Sequence, residues 1–267
     1  MRIMCLNGWG GTLHAALADY VGTERPDVLC LQEVIHCPDA PGDWLEYRDG
    51  DHVLPQRADF LGDVAAALPE HRAIFCPAAR GMLWDGAAPV VSLWGLASFV
   101  HRDLVVVGQA QGFVHGSFAP DGFGDHPRSR NAHAMRLWDG AGFVTVAHMH
   151  GLRDLAGKMD TPARRDQAER FAALARGVAG EGDARVLCGD FNVGPESETL
   201  AILSRDGLTE QVTAHAEAGT RTSHYRKPMR FADYMLVNDA ARVQDFRVVR
   251  SPEVSDHCPL LLTLRAA

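Results

Sequence analysis

The sequence predicts an α/β fold in which two β-sheets pack face to face with helices on their outer sides. Three observations predict it. Apolar runs of strand length recur along the chain, with only a few stretches of helical spacing between them. The polar residues able to do chemistry fall at the ends of those runs. The chain has 267 residues, 46% of them hydrophobic, which is enough to bury a core without disulfide or metal staples. A strand-rich mixture of this kind buries its apolar faces as sheet on sheet. We find no low-complexity tract and no long linker, and expect one domain over residues 1–267.

The elements follow in order. Arg2–Leu6 reads as a strand, and Val28–Leu31 as a second one, apolar on both faces. Between them, Thr12–Glu24 has helical spacing at Leu13, Ala16, Leu17 and Tyr20. Ala58–Leu68 is a second helix, with Phe60, Leu61, Val64 and Leu68 on one face. Gly95–Val100, Leu104–Val107, Ala132–Leu137 and Phe143–His148 read as strands. Thr161–Val178 is the clearest helix: Thr161 can cap it, Pro162 suits its first turn, and Phe171, Leu174 and Val178 mark its buried side. Arg185–Cys188, Phe231–Val237 and Leu260–Leu264 complete the strands. Residues 38–57 and 108–131, rich in Gly, Pro, Asp and His, read as loops. A short internal echo relates Asp27–Glu33 to Ala184–Asp190.

Composition narrows the partners. There are 26 basic against 34 acidic residues, a net charge of −8, which disfavours a protein that coats nucleic acid by bulk charge. No apolar window is long enough for a transmembrane helix, so membrane insertion is not expected, and the N-terminal apolar run is too short for a secretory signal. The six cysteines (Cys5, Cys30, Cys37, Cys76, Cys188, Cys258) form no CxxC pair and read as reduced thiols of a cytoplasmic protein. Oligomeric state is left open.

Asn7, Gln32-Glu33, His148-Met149-His150 and Gly189-Asp190-Phe191-Asn192 end strands, whereas Asp233 opens one and Ser255-Asp256-His257 precedes another. The two sets meet only if their strands run oppositely, which predicts mixed or antiparallel sheets with a single polar rim. That rim would gather Asn7, Glu33, His150, Asp190, Asn192, Asp233, Asp256 and His257. Its carboxylate and amide oxygens, without thiolate, suit Mg2+ or Mn2+, and phosphate esters are the natural substrates of such a site.

Taken in order, Leu6-Asn7, Leu31-Gln32-Glu33, His148-Met149-His150, Gly189-Asp190-Phe191-Asn192, Asp233-Tyr234 and Ser255-Asp256-His257 resemble the endonuclease/exonuclease/phosphatase superfamily along essentially the whole chain. Gly95-Leu-Ala-Ser-Phe-Val-His-Arg102 is similar to that family's central strand. The resemblance implies a four-layered α/β sandwich and Mg2+-dependent hydrolysis of phosphate esters. It implies Glu33 as main metal ligand with Asn7 beside it, and Asp256 at a second or shared metal position. Asp190 and Asn192 would position and activate water. His257, oriented by Asp233, would stabilise the pentacovalent phosphorus, and His150 would contact phosphoryl oxygens. There are departures. The usual Asn-Thr-His-Leu is His148-Met149-His150-Gly151 here, and no tyrosine lies between Tyr47 and Tyr225, which disfavours an AP-endonuclease.

The segment Arg221–Arg230 carries four positive charges and no acid, just before Asp233. Arg221, Arg226, Lys227 and Arg230 are therefore candidate anion contacts, with Arg128 and Arg130 a second group. Each residue taken singly also has a plain reading. Glu33, Asp190 and Asp256 suit turns, Asp233 suits an ion pair with Arg230, and His148 suits a packed core as well as a ligand. Trp84 and Trp94 could flank a substrate pocket or simply be core. The leading function is a metal-dependent hydrolase of phosphate esters. The alternatives are a DNA or RNA nuclease, a zinc hydrolase using His148, His150, Asp190 and His257, and an inactive binding module.

Overall fold

The computed structural model describes residues 1–238 and 242–265; residues 239–241 and 266–267 of the expected domain lie outside the described residues. The elements are β1 (Arg2–Asn7), α1 (His14–Glu24), β2 (Val28–His36), β3 (Trp44–Asp49), β4 (His52–Arg57), α2 (Phe60–Ala67), β5 (His71–Asp85), β6 (Ala88–His101) and β7 (Val105–His115). They continue with β8 (Arg130–Trp138), β9 (Phe143–His150), α3 (Pro162–Val178), β10 (Ala184–Asp190), α4 (Glu198–Ser204), β11 (Thr209–Glu210), β12 (Asp233–Val237), β13 (Val243–Val248) and β14 (Leu260–Leu264). No helix among the described residues is long and apolar enough to cross a membrane.

The strands form two mixed sheets. One has the order β13-β14-β1-β2-β6-β5-β3-β4, the other β11-β12-β10-β9-β8-β7. Each contains one parallel pair joined through a helix, β1–α1–β2 and β9–α3–β10; the other named-strand pairs are antiparallel. The echo segments Asp27–Glu33 and Ala184–Asp190 cover the first part of β2 and the whole of β10, the second strands of these two units.

Alternation along the central strands explains their continuous apolarity. Ile3 and Cys5 of β1, with Val28 and Cys30 of β2, join the core shared with the second sheet. Met4, Leu6, Leu29 and Leu31 point the other way and pack under α1 and α2, against Leu17, Val21, Phe60 and Val64. A strand buried on both faces must be apolar at every position. On the far side, α3 buries Phe171, Ala172 and Ala175. Thr161 caps α3 by accepting the Arg164 amide at 3.3 Å, and Pro162 occupies its first turn.

The structure corrects the reading of the loops. Residues 38–57 contain the β3–β4 hairpin, and 108–115 belong to β7. β5 and most of its long hairpin with β6 went unread because Pro77 and Gly81 punctuate the run. Pro77 sits at an irregularity in the ladder, where a missing N–H is tolerated. Also unread were α4, capped by Ser197, and β13 and β11.

A hydrogen-bonded chain crosses from sheet to sheet inside the core. Gln32 Nε2 on β2 lies 3.1 Å from His148 Nδ1 on β9, and His148 Nε2 lies 2.8 Å from Ser98 Oγ on β6. Ser98 Oγ is 2.8 Å from His133 Nδ1 on β8, whose Nε2 is 3.2 Å from Gln109 Oε1 on β7. One direction satisfies every member. Gln32 donates to His148, His148 to Ser98, Ser98 to His133 and His133 to Gln109, with both imidazoles neutral. Burial accordingly pushes His133 down to about 4 and holds His148 well below its ordinary value.

This neutrality makes folding acid-sensitive. Both histidines titrate near 6.5 when unfolded, so their contribution is complete above that pH and is lost as pH falls toward about 4, at ~1.4 kcal/mol per pH unit for His133 alone. Glu33 and Asp233, raised to about 7 and 6, contribute with the opposite sign in this window, so the slope is read as a difference: urea unfolding from pH 7.5 to 4.5 should show the His133→Asn variant losing less stability than the unsubstituted protein. An unchanged slope in the variant would refute the assignment.

Candidate active site

The rim is built where β1, β9 and β10 end, where β2 bulges, and where β12 begins. Asn7 pairs with Gln32 across β1–β2, and Asp190 pairs with both His150 and Asp233. Because β12 runs antiparallel to β10, and β14 antiparallel to β1, Asp233 and the Ser255–His257 segment arrive at the same edge as the strand ends.

Glu33 does not end its strand. The β2–β6 register shifts between Leu31 and Val34, and Glu33 has φ +57° within this bulge. A non-glycine residue in that region costs about 1–2 kcal/mol, and bulges of this kind re-aim a side chain. Here Gln32 stays in the core and Glu33 is turned to the rim. Gly189 serves a similar purpose on β10. At φ +145°, its Cβ would lie 2.1 Å from the Met149 carbonyl oxygen, so only glycine lets β10 approach β9 closely enough to set Asp190 beside His150.

Asn7 Nδ2 donates to Glu33 Oε1 at 3.1 Å and to Asp190 Oδ2 at 3.0 Å. His150 Nε2 lies 3.7 Å from Glu33 and 3.8 Å from Asp190. His257 Nδ1 is 2.8 Å from Asp233 Oδ1, while its Nε2 faces Asp190 at 3.6 Å and Asp256 at 3.7 Å. Thr220 donates its hydroxyl to Asp233 and accepts the amides of Ala232 and Asp233. Ser255 donates to the Asn7 carbonyl and accepts the His257 amide. Asn192, at φ +56°, gives its backbone amide to Asp190 Oδ1 at 3.0 Å, and its side chain lies 3.4 Å from the Gly151 carbonyl.

Burial, and then repulsion from Asp256, raise the Glu33 carboxyl to about 7. Burial raises Asp233 to about 6, and burial followed by Arg221 lowers His257 to about 4. The resting pair is therefore carboxylate and neutral imidazole, with Nδ1–H donated to Asp233. Burial, then Arg130, holds His150 well down, and its Nδ1 is buried without a partner.

The donor set fits a hard dication. Asp190, Asp233 and His257 lie close enough to share an ion. However, Asp233 and His257 Nδ1 already satisfy each other, which leaves Glu33, Asp190 and Asp256 as the oxygens most in need of positive charge. Glu33, a carboxyl raised by burial and then by Asp256, is the residue such an ion would relieve.

The basic residues divide. Arg221 Nη1 binds Asp256 at 2.6 Å. Arg130 lies over the Trp94 ring at 5.1 Å and donates to the Gly151 and Ser129 carbonyls; burial lowers it to about 10. Arg128 donates to Tyr47 and Asp49. Arg230 donates to the carbonyls of Tyr225, Arg221 and Thr222, so it folds its own loop, while Arg226 and Lys227 are exposed. His148 belongs to the core chain. Trp94 lines a cleft beside Glu33, and Trp84 instead carries the Arg48 guanidinium. Lys158 escaped the sequence reading. It donates to the Phe231 carbonyl near Asp190 and Asp233, and burial lowers it to about 8. No spacing rule points to a lysine inside that loop.

Thr220→Val should cost about 1–3 kcal/mol, because it removes one of the donors to Asp233 and the acceptor of the Ala232 and Asp233 amides. Urea unfolding measures this, and a loss below a few tenths would show that water replaces the hydroxyl. Gly189→Ala should cost a similar ~1–3 kcal/mol through backbone overpacking.

Residues 5–257 match the family model described as the endonuclease/exonuclease/phosphatase family. Among solved structures, the chain is similar to an endonuclease/exonuclease/phosphatase from Bacteroides vulgatus, with 16% identity, TM-score 0.67, and coverage of 100% of this chain and 98% of that one. It is similar to a Bacteroides thetaiotaomicron mannosyl-6-phosphatase, with 16% identity, TM-score 0.66 and 99% coverage of each chain. It is also similar to a family protein from Leptotrichia buccalis, with 12% identity, TM-score 0.68 and 99% coverage of each. No curated protein matches it. With nearly the whole chain matched by one family model and the two-sheet architecture in place, the protein belongs to the endonuclease/exonuclease/phosphatase family.

Proposed function

We propose that this protein hydrolyses phosphate esters of small organic alcohols, using Mg2+ or Mn2+ and in-line attack of water on phosphorus. The observation that supports it is the convergence of Glu33, Asp190 and Asp256 with the Asp233–His257 pair on one rim. Glu33 would hold the cation, with Asn7 and Asp256 beside it. The bound ion supplies charge neutralisation at the phosphoryl oxygens. Asp190, itself held by Asn7 and the Asn192 amide, orients the attacking water with Asn192 and receives its proton. The anionic ester favours the imidazolium of His257, which Asp233 then stabilises, and Nε2–H donates to a phosphoryl oxygen. His150 and Arg130 meet the other phosphoryl oxygens. Arg221 is tied to Asp256, and through it steadies the rim.

A nuclease would need a track for several phosphates. Of the basic loop, only Arg226 and Lys227 stand exposed; Arg221 is buried and tied to Asp256, and Arg230 is spent on carbonyls of its own loop. The zinc alternative loses His148, whose ring nitrogens are both bonded in the core. The binding-module alternative leaves a complete set of rim groups without a task. The mannosyl-6-phosphatase among the structural neighbours is, by its name, also a phosphatase, but at 16% identity it lends this chain no particular alcohol.

Chelation should abolish hydrolysis of a phosphate-ester panel, and Mg2+ or Mn2+ should restore it. Glu33→Gln and His257→Asn should each lower kcat/KM by ~10²-fold or more. Full activity in either variant would refute these roles. Small-ester turnover should fall by less than about threefold between 50 and 200 mM salt, whereas a nuclease with many phosphate contacts would lose ~10³-fold or more.

A further inference from the structure

Building on the phosphoesterase reading, we infer that the cleft beside Glu33 and His150 receives the alcohol of the ester, and that it takes a compact, planar, largely apolar ring, aryl or heteroaryl, rather than a polyhydroxylated sugar. The cleft lies between the β3–β4 hairpin and the 116–129 segment. Its apolar lining is Ile35, Tyr47, Leu54, Leu83, Trp94 and Phe123, and it opens on Glu33 and His150. The Trp94 ring centroid is 5.4 Å from that of His150, so a ring one or two bonds from a phosphoryl group at the rim would reach the Trp94 side chain, which also carries Arg130.

Several polar groups on the two walls are bonded to each other or to backbone. Gln56 Nε2 donates to the Pro55 carbonyl at 3.2 Å. All three Arg128 nitrogens are engaged, on Gly124, Tyr47 and Asp49. The Tyr47 hydroxyl donates to Asp49 at 3.0 Å, and His126 Nε2 lies 3.2 Å from the same carboxylate. Against the apolar face formed by Ile35, Leu54, Leu83, Trp94 and Phe123 a hexose would surrender hydrogen bonds to water without replacement, whereas a flat apolar ring surrenders none. Two ring nitrogens lining the cleft, His150 Nδ1 at the rim and His126 Nδ1 on the 116–129 segment, are buried without a partner, and each can take one ligand hydrogen bond.

The walls are fixed. Asp49 on the hairpin holds Arg128 and His126 on the facing segment, and the Phe123 ring lies so close to Gly81 that a Cβ there would come within 2.5 Å of it. This tie limits how far a ligand can extend between the walls, which disfavours a continuing polymer. A preformed, narrow, apolar cleft selects by shape.

The test compares benzyl phosphate, methyl phosphate and a hexose 6-phosphate, all esters of alkyl alcohols, with Mg2+ or Mn2+. It adds calorimetric binding of the non-hydrolysable benzylphosphonate and methylphosphonate. Benzyl phosphate should exceed both other esters in kcat/KM by at least about tenfold, and the phosphonates should rank the same way. Trp94→Ala and, on the facing segment, Phe123→Ala should each reduce the benzyl-to-methyl ratio to about threefold or less. Equal or reversed preference, or ratios untouched in both variants, would overturn the inference. If no ester is hydrolysed while benzylphosphonate still binds with the expected preference, the subsite stands and the phosphoesterase reading falls.

Discussion

A single amide nitrogen joins the two sheets at the rim. Asn7 Nδ2 donates to Glu33 on its own sheet and to Asp190 on the facing one, so two carboxylates share one neutral donor in a crowded, partly desolvated place. Left to themselves such groups separate or take up a proton, and the Glu33 carboxyl, raised to about 7, shows how far that tendency goes. They stay together because their backbones are not free to move. β1 and β2 are buried on both faces, and the cost of shifting either strand is that of unpacking two cores at once.

The polar chain beneath the rim adds a second restraint. Gln32 immediately precedes Glu33, and His148 lies two residues before His150, so the hydrogen bond between Gln32 and His148 ties the backbone carrying one rim group to the strand carrying another. Apolar contact alone would hold two sheets together without choosing among small sliding displacements. A hydrogen-bonded chain satisfied in only one arrangement does choose. The chain also explains why an HxH pair at a strand end does not make a metal site here. Residues two apart share a face, but only the outer one reaches the rim.

Most of the strands and the rim residues were readable because they carry strong local signals. Double-sided apolar runs such as Val28–Leu31 and the capped, amphipathic α3 are of this kind. The direction in which Asp233 and His257 had to arrive followed from polar groups lying after some strands and before others. What was not readable depended on pairing between distant segments. The β3–β4 hairpin looks like a loop, and β5 carries no strand signal, because Gly, Pro and Asp sit in strands stabilised by their neighbours rather than by propensity. The bulge at Glu33 carries no sequence signature, since glutamate is not the residue a left-handed position selects. Lys158 is placed by the fold of a loop, which no periodicity encodes.

The basic residues show why charge counted along a sequence differs from charge available to a ligand. Arg221 and Arg230 stand in the most positive stretch of the chain, yet one is consumed by Asp256 and the other by three carbonyls of its own loop. Arg130 stands outside that stretch, and it has no carboxylate within ion-pair distance among the described residues although it is only 4% exposed. Its burial is offset by two carbonyls, by the face of Trp94 and by the field of Glu33 and Asp190. A desolvated guanidinium thus lies near desolvated carboxylates without pairing with them. A bound anionic ester would relieve the first and a dication the second, and that separation of opposite charges suits a site that takes both together better than either alone.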